Sequence, residues 1–201
     1  MINYYYAIWH KYKFKKLFSD LYTVKNFTLL RNPYYLLNFD FFGLPIKTDE
    51  LLLKSFKNEI YNFINAFNGH YKLEYINADI DRTDESADMM SKLFKILDAA
   101  NLLQKNYIII DEYDHFANEL LSFRIESFKA IVSKTGFVRK FFEKIKDVAK
   151  SVIDGIFITG VNPITLDSIA SGFNIAMNIT LESEFNSAHG NAQIDRALQR
   201  G

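Results

Sequence analysis

Tyr107-Ile-Ile-Ile-Asp-Glu112 is the stretch on which the fold turns. Its apolar residues run without interruption, as a strand covered on both faces requires, and they stop at two carboxylates that cannot share that burial. The pattern predicts a strand whose acids emerge at its carboxyl end. Two further runs have the same character, Tyr34–Phe39 and Ile156–Thr159.

Between and after these runs lie segments with helical spacing: Leu51–Phe67, about Ser86–Leu103, Leu120–Val132 and Val138–Val152. In the first of them Leu52, Phe56, Ile60, Phe63 and Phe67 recur in steps of three and four, leaving Lys54, Lys57, Glu59 and Asn62 for solvent. The first twenty residues also read as helical, carrying Trp9, Phe14, Leu17 and Phe18 inward. Strands joined by long helical crossovers pair in parallel, with helices on the faces of the sheet. Ligands in such folds lie off the carboxyl ends of the strands, so chemistry is expected at Asp40, at Asp111 with Glu112, and between Gly160 and Pro163.

The chain has 201 residues, 49% of them hydrophobic and 16% aromatic, enough to bury the core of one domain. Its 24 basic and 24 acidic residues cancel, which argues against a dedicated electrostatic partner of nucleic acid or acidic membranes. There is no cysteine, hence no disulfide or thiolate site. No signal peptide is evident, and no apolar run approaches the ~18 residues that span a bilayer. These features fit a cytoplasmic protein. From about Ser187 to Gly201 large apolar residues nearly vanish, so residues 187–201 are expected to fray or to make a marginal helical turn, as a divergent, flexible tail after a domain over residues 1–186.

Four apolar residues leading into Asp111-Glu112 have a chemical reading and a bland one. In nucleotide-hydrolysing P-loop cores the first acid of this pattern, the Walker B motif, helps hold Mg²⁺, and the second can orient or deprotonate an attacking water. Alternatively, the two acids simply end a buried strand. Asp114 makes a third acid within four residues, which favours a cation or arginine nearby, or it is the N-cap of the following helix. His115 reads as a surface residue. Thr159-Gly-Val-Asn-Pro163 could place Asn162, or Thr159, against a γ-phosphate, or it could be ordinary turn chemistry.

Arg31, Arg82, Arg124 and Arg139 are candidates for a phosphate-facing arginine that spacing alone does not separate. The Lys11–Lys16 cluster, interleaved with Tyr12 and Phe14, has the look of a basic-aromatic patch, but at helical spacing it reads as an ordinary amphipathic helix with lysines outward and aromatics inward. The sequence contains no Gly-x-x-x-x-Gly-Lys-Ser/Thr loop to cradle phosphates. It likewise shows no Ser-His-Asp order, no HExxH pair and no nuclease-type Asp…Glu-x-Lys set.

The stretch from Ile158-Thr-Gly-Val-Asn-Pro-Ile through Leu166-Asp and Ser171-Gly-Phe-Asn-Ile-Ala to Phe185-Asn186 resembles the signature of the predicted AAA-ATPase-like family. Tyr107–Asp114 is similar to the family's Walker B strand, and Tyr34–Asp40 and the tyrosine-rich opening are similar to other family elements. The resemblance covers about residues 3 to 186. It implies a three-layer P-loop NTPase-like α/β fold with a parallel sheet and flanking helices, binding ATP and Mg²⁺. It also implies roles for single residues: Asp111 at the metal and nucleotide, Glu112 in water activation, Asn162 as a sensor, and Thr159 at the nucleotide.

Family members carry a Gly-Lys-Ser/Thr loop upstream of the tyrosine-rich helix, and many carry a nuclease domain after the ATPase core. The chain is therefore expected to be a fragment lacking the first (Walker A) strand, impaired or inactive in ATP hydrolysis on its own. The resemblance puts that strand beside the third strand found here, with the second farthest away, so Ile156–Thr159 is expected to have an open edge suited to self-association or to a protein partner. A non-catalytic interaction protein is the alternative, and a nucleic-acid-associated module a weaker one.

Overall fold

The computed structural model describes residues 2–21, 31–73, 79–100, 102, 105–148 and 151–160. Asn162, the rest of the signature after Gly160 and the tail 187–201 lie outside the described residues. Three strands, β1 (Tyr35–Asp40), β2 (Asn106–Asp111) and β3 (Ile153–Ile158), form a parallel sheet in the order β1-β2-β3. β2 is thus central, and β1 is the strand farthest from β3. The α/β architecture expected from the three apolar runs is the one observed.

One face of the sheet carries most of the core. On it pack α3 (Asp49–Tyr71), α4 (Ser86–Ala99), α5 (His115–Phe123), α6 (Ile125–Val132) and α7 (Phe137–Val148). Helix α3 starts where Thr48 accepts the Leu51 N–H at 3.1 Å, with Asp49 and Glu50 favouring the positive end of the helix dipole. It ends at Lys72, whose left-handed φ of 55° turns its N–H back to Asn68 O at 2.7 Å. Its buried stripe is Leu52, Phe56, Ile60, Ile64 and Phe67; Phe63 is only half-buried because the stripe drifts at 3.6 residues per turn.

Phe41 shows how the layers lock. Its ring, just past the end of β1, lies 6.4 Å from Phe39 of that strand, stacks on Phe56 at 5.0 Å and meets Phe116 and Phe141 edge-on at 6.2 and 5.9 Å, so that β1, α3, α5 and α7 share one aromatic cluster. Each such ring contributes about 1.5–3 kcal/mol by burial, with edge and stacking geometry adding to it.

The opposite face is covered by the N-terminal segment: α1 (Ile2–Tyr6), a 3-10 turn (Ile8–Lys13) and α2 (Phe14–Phe18). Tyr5, Tyr6, Phe14 and Phe18 pack over Tyr34, Leu36, Tyr107 and Ile109. Parallel bridging between Ala7 and Tyr34 fixes the segment to the start of β1, and the Asn32 amide donates to Tyr4 O and Ala7 O, each at 2.8 Å. The inward set differs from the expected one: Phe14 and Phe18 are buried, but Trp9 and Leu17 are 42% and 45% exposed and Tyr12 of the lysine cluster faces solvent, because the 3-10 turn shifts the helical phase.

Other boundaries moved for local reasons. β3 begins at Ile153 rather than Ile156, running through Asp154 and Gly155. The helix read over Leu120–Val132 is two helices that break at Arg124, whose φ and ψ of −147° and 61° are not helical. No described helix is long and apolar enough to cross a membrane.

Candidate functional site

Parallel register brings the carboxyl ends of the strands level. Asp40 pairs with Asp111, and Ile110 with Ile158, so the residues that follow each strand open on one edge. The corner is tied by backbone bonds: Thr159 N–H to Ile110 O at 2.8 Å, Phe41 N–H to Asp111 O at 3.1 Å, and Tyr113 N–H to Thr159 O at 3.3 Å.

At its centre the Thr159 hydroxyl donates to Asp111 Oδ1, which also accepts the Glu112 N–H at 3.2 Å. Two donors on one oxygen fix the carboxylate's orientation while Asp111 stays exposed. The Asp40 carboxylate is turned instead to the Phe42 N–H, at 2.9 Å. Asp111 and Thr159 line an open recess of about 140 Å³, together with Asn3, Asn38 and the apolar Ile2, Ile109 and Phe157. That volume is below the ~300 Å³ of a typical small-molecule site, so it fits one end of a larger ligand.

Glu112 has a left-handed φ of 51°, unusual for a residue with a side chain. The conformation bends the chain out of β2 so that the Tyr113 N–H can reach Thr159. Glu112 is half-exposed at the rim and does not line the recess. Asp114 does not line it either. It is fully buried at the N-cap position of α5, makes no capping bond, and accepts from Asn118 Nδ2 at 2.8 Å. Gly160 makes room for this arrangement, since a Cβ there would come within 2.3 Å of the Tyr113 ring and 2.5 Å of Asp114 Oδ1.

His115 is half-buried, its ring centroid 4.7 Å from that of Phe42, rather than a free surface group. The arginine candidates have other partners. Arg124 binds Ile46 O and Asp49, Arg139 binds Glu143, Arg82 lies over Tyr61 and Arg31 over Phe14. Asn3 and Asn38 were missed from sequence. Asn38 left a signal, a polar residue inside an apolar strand, whereas Asn3 reaches the recess only through the docking of α1.

A model of the family described as Predicted AAA-ATPase matches residues 1–170. The chain belongs to the Predicted AAA-ATPase family. Comparison with curated proteins and with solved structures gives no match. The family match spans all three strands and the Asp111–Thr159 corner, and the parallel sheet between helical layers accords with a P-loop-type core. Membership in the Predicted AAA-ATPase family implies nucleotide and Mg²⁺ use at the level of the family. The corner fits such an ion, with one exposed carboxylate whose orientation is fixed by a hydroxyl. Mg²⁺ keeps most of its waters and takes one or two carboxylates, with phosphates supplying the rest. Among the described residues no group of three or more His, Cys, Asp or Glu side chains gathers as a metal cage.

Proposed function

We propose that the recess receives the magnesium–phosphate end of ATP, with Asp111 facing the hydrated ion, Thr159 positioning Asp111, and Glu112 at the rim orienting the attacking water. The observation that carries the reading is the Thr159 hydroxyl bond to Asp111, which joins the ends of β2 and β3 over the recess. Bound Mg²⁺ would neutralise charge on the phosphates. Asn162, three residues past Thr159 in the sequence, is the further polar group proposed for the γ-phosphate side.

These 201 residues contain no Gly-rich lysine loop, so their own phosphate contacts are few. We therefore expect weak Mg-ATP binding and slow or absent turnover. Thermal unfolding with millimolar Mg-ATP tests the binding, because a ligand of the folded state raises Tm with concentration. The wild type and Glu112→Gln should both respond and Asp111→Asn should not, and any phosphate release should be lost in Glu112→Gln. An unresponsive wild type, or an unchanged response in Asp111→Asn, would overturn the reading.

A further inference from the structure

We propose that the outer surface of the N-terminal segment, residues 8–17, docks single-stranded nucleic acid through its phosphates and base faces. Four lysines, Lys11, Lys13, Lys15 and Lys16, are all exposed there, and no acidic residue precedes Asp20. A chain with no net charge thus concentrates four positive charges in six consecutive residues. Arg31 adds another beside α2, its guanidinium carbon 5.2 Å from the Phe14 ring centroid.

Aromatic rings stand among these charges. Tyr12 is 97% exposed and Trp9 is 42% exposed. The two are three residues apart in the 3-10 turn, where side chains at i and i+3 eclipse on one face about 6 Å apart along the axis. Trp9 is already held in place, with its ring centroid 4.0 Å from those of His70, near-parallel to it, and of His10. A pre-positioned indole and an open phenol, flanked by lysines, match what single strands use: stacking on aromatic faces and a positive track for the backbone.

An anionic membrane would also attract the lysines. It requires a continuous apolar face to bury in the lipid, whereas between residues 8 and 17 Phe14 is turned onto the sheet, Ile8 is half-buried and Leu17 is the one exposed aliphatic side chain. The observations therefore favour the nucleic acid. Because the contacts are to phosphates and base faces, the sugar should not matter.

Trp9 is the chain's one tryptophan, so its emission reports the surface directly. Titration with oligo-dT and oligo-U should quench it saturably and to similar extents. The log of affinity should fall with log salt by about 0.7 per phosphate engaged, a slope of about −3 for four lysines. With a labelled oligonucleotide read by anisotropy, Lys11→Glu/Lys15→Glu should weaken binding and roughly halve the slope. Tyr12→Ala should weaken binding ~5- to 150-fold with the slope unchanged. These side chains are exposed, and unchanged melting of the variants would show that the fold is intact. The proposal fails if no quenching occurs at low salt, if binding is insensitive to salt or survives the double reversal, or if phosphatidylserine vesicles bind and the oligonucleotides do not.

Discussion

Gly155→Ala tests how the N-terminal layer is seated on the sheet. Gly155 opposes Tyr107 across the β2–β3 pair, and a Cβ there would lie 2.4 Å from Tyr107 Cε2 and 2.9 Å from Cδ2. Relief needs a ring movement of about 1 Å. The ring is hemmed in: Tyr107 is buried, stacks on Tyr6 at 5.1 Å and 6°, and meets Tyr34 at 5.1 Å. Overpacking of this kind costs about 1–3 kcal/mol. Stiffening the unfolded chain returns about 0.4–1 kcal/mol, because the φ of Gly155 is not in the left-handed region. The net is ~1–2 kcal/mol, a fall in Tm of roughly 2–8 °C for a chain of this size. Urea denaturation of the single variants and of Gly155→Ala in a Tyr107→Leu background closes a double-mutant cycle. Coupling should account for most of the cost. An alanine that stabilises the protein, or one that costs the same in both backgrounds, would refute the packing argument.

Three further outcomes follow from single residues. Glu112→Gly should stabilise the fold by about 0.5–1 kcal/mol, since glycine adopts the φ of 51° without the steric cost, and chemical denaturation reads it; a loss of stability would mean that the Glu112 side chain supports the turn. Burial of His10, with Lys13 and His70 adding to it, holds its imidazole below the ordinary 6.5. The unfolded chain then takes up the proton first, so stability is full above about pH 6.5 and falls as pH drops toward the lowered folded value, and the slope should diminish in His10→Gln. Burial raises the Asp154 carboxyl, but the Lys105 ammonium and Tyr34 hydroxyl that donate to it at 2.5 and 2.6 Å outweigh this and hold it below 3.8. That stability is present above the unfolded value and lost as pH falls through the folded one. Lys105 is 73% exposed, so Lys105→Met should cost less, ~0–1 kcal/mol, than Tyr34→Phe, ~0.5–1.5 kcal/mol, in urea midpoints; the reverse order would put the weight on the ion pair.

What the sequence disclosed divides along physical lines. Apolar continuity disclosed the strand interiors, because two-sided burial leaves a local mark at each residue. It did not disclose the start of β3, since Asp154-Gly155 reads as a breaker; the glycine is there for the Tyr107 ring, a neighbour 48 residues earlier in the chain. Asp111 and Thr159 were legible as candidates from their places after strands, and the bond between them follows once β2 and β3 are adjacent. The orientation of Trp9 was not legible, because a 3-10 turn and an α-helix share an apolar pattern over so few residues. Burial of Asp114 was hidden for a related reason: its surroundings come from Asn118 and the exit of β3, not from its sequence neighbours alone.

The two faces of the sheet differ in a way that bears on the site. The helical face is deep and aromatic, whereas the face with the recess is covered by short helices of five residues and a 3-10 turn. Ile2 and Asn3 reach the recess only while Tyr5 and Tyr6 are seated on the sheet. Opening of such a thin layer costs less than global unfolding, so hydrogen exchange should find residues 2–7 less protected than β2. If the recess holds the magnesium–phosphate end of ATP and the seated α1 forms part of its wall, binding and seating are linked, and the linkage is reciprocal. Mg-ATP must then raise protection at residues 2–7, and Gly155→Ala, by loosening Tyr6 against Tyr107, must weaken Mg-ATP to the extent that it lowers the seated fraction. Binding that leaves exchange at residues 2–7 unchanged would place the ligand elsewhere on the strand ends, away from the wall that Asn3 provides.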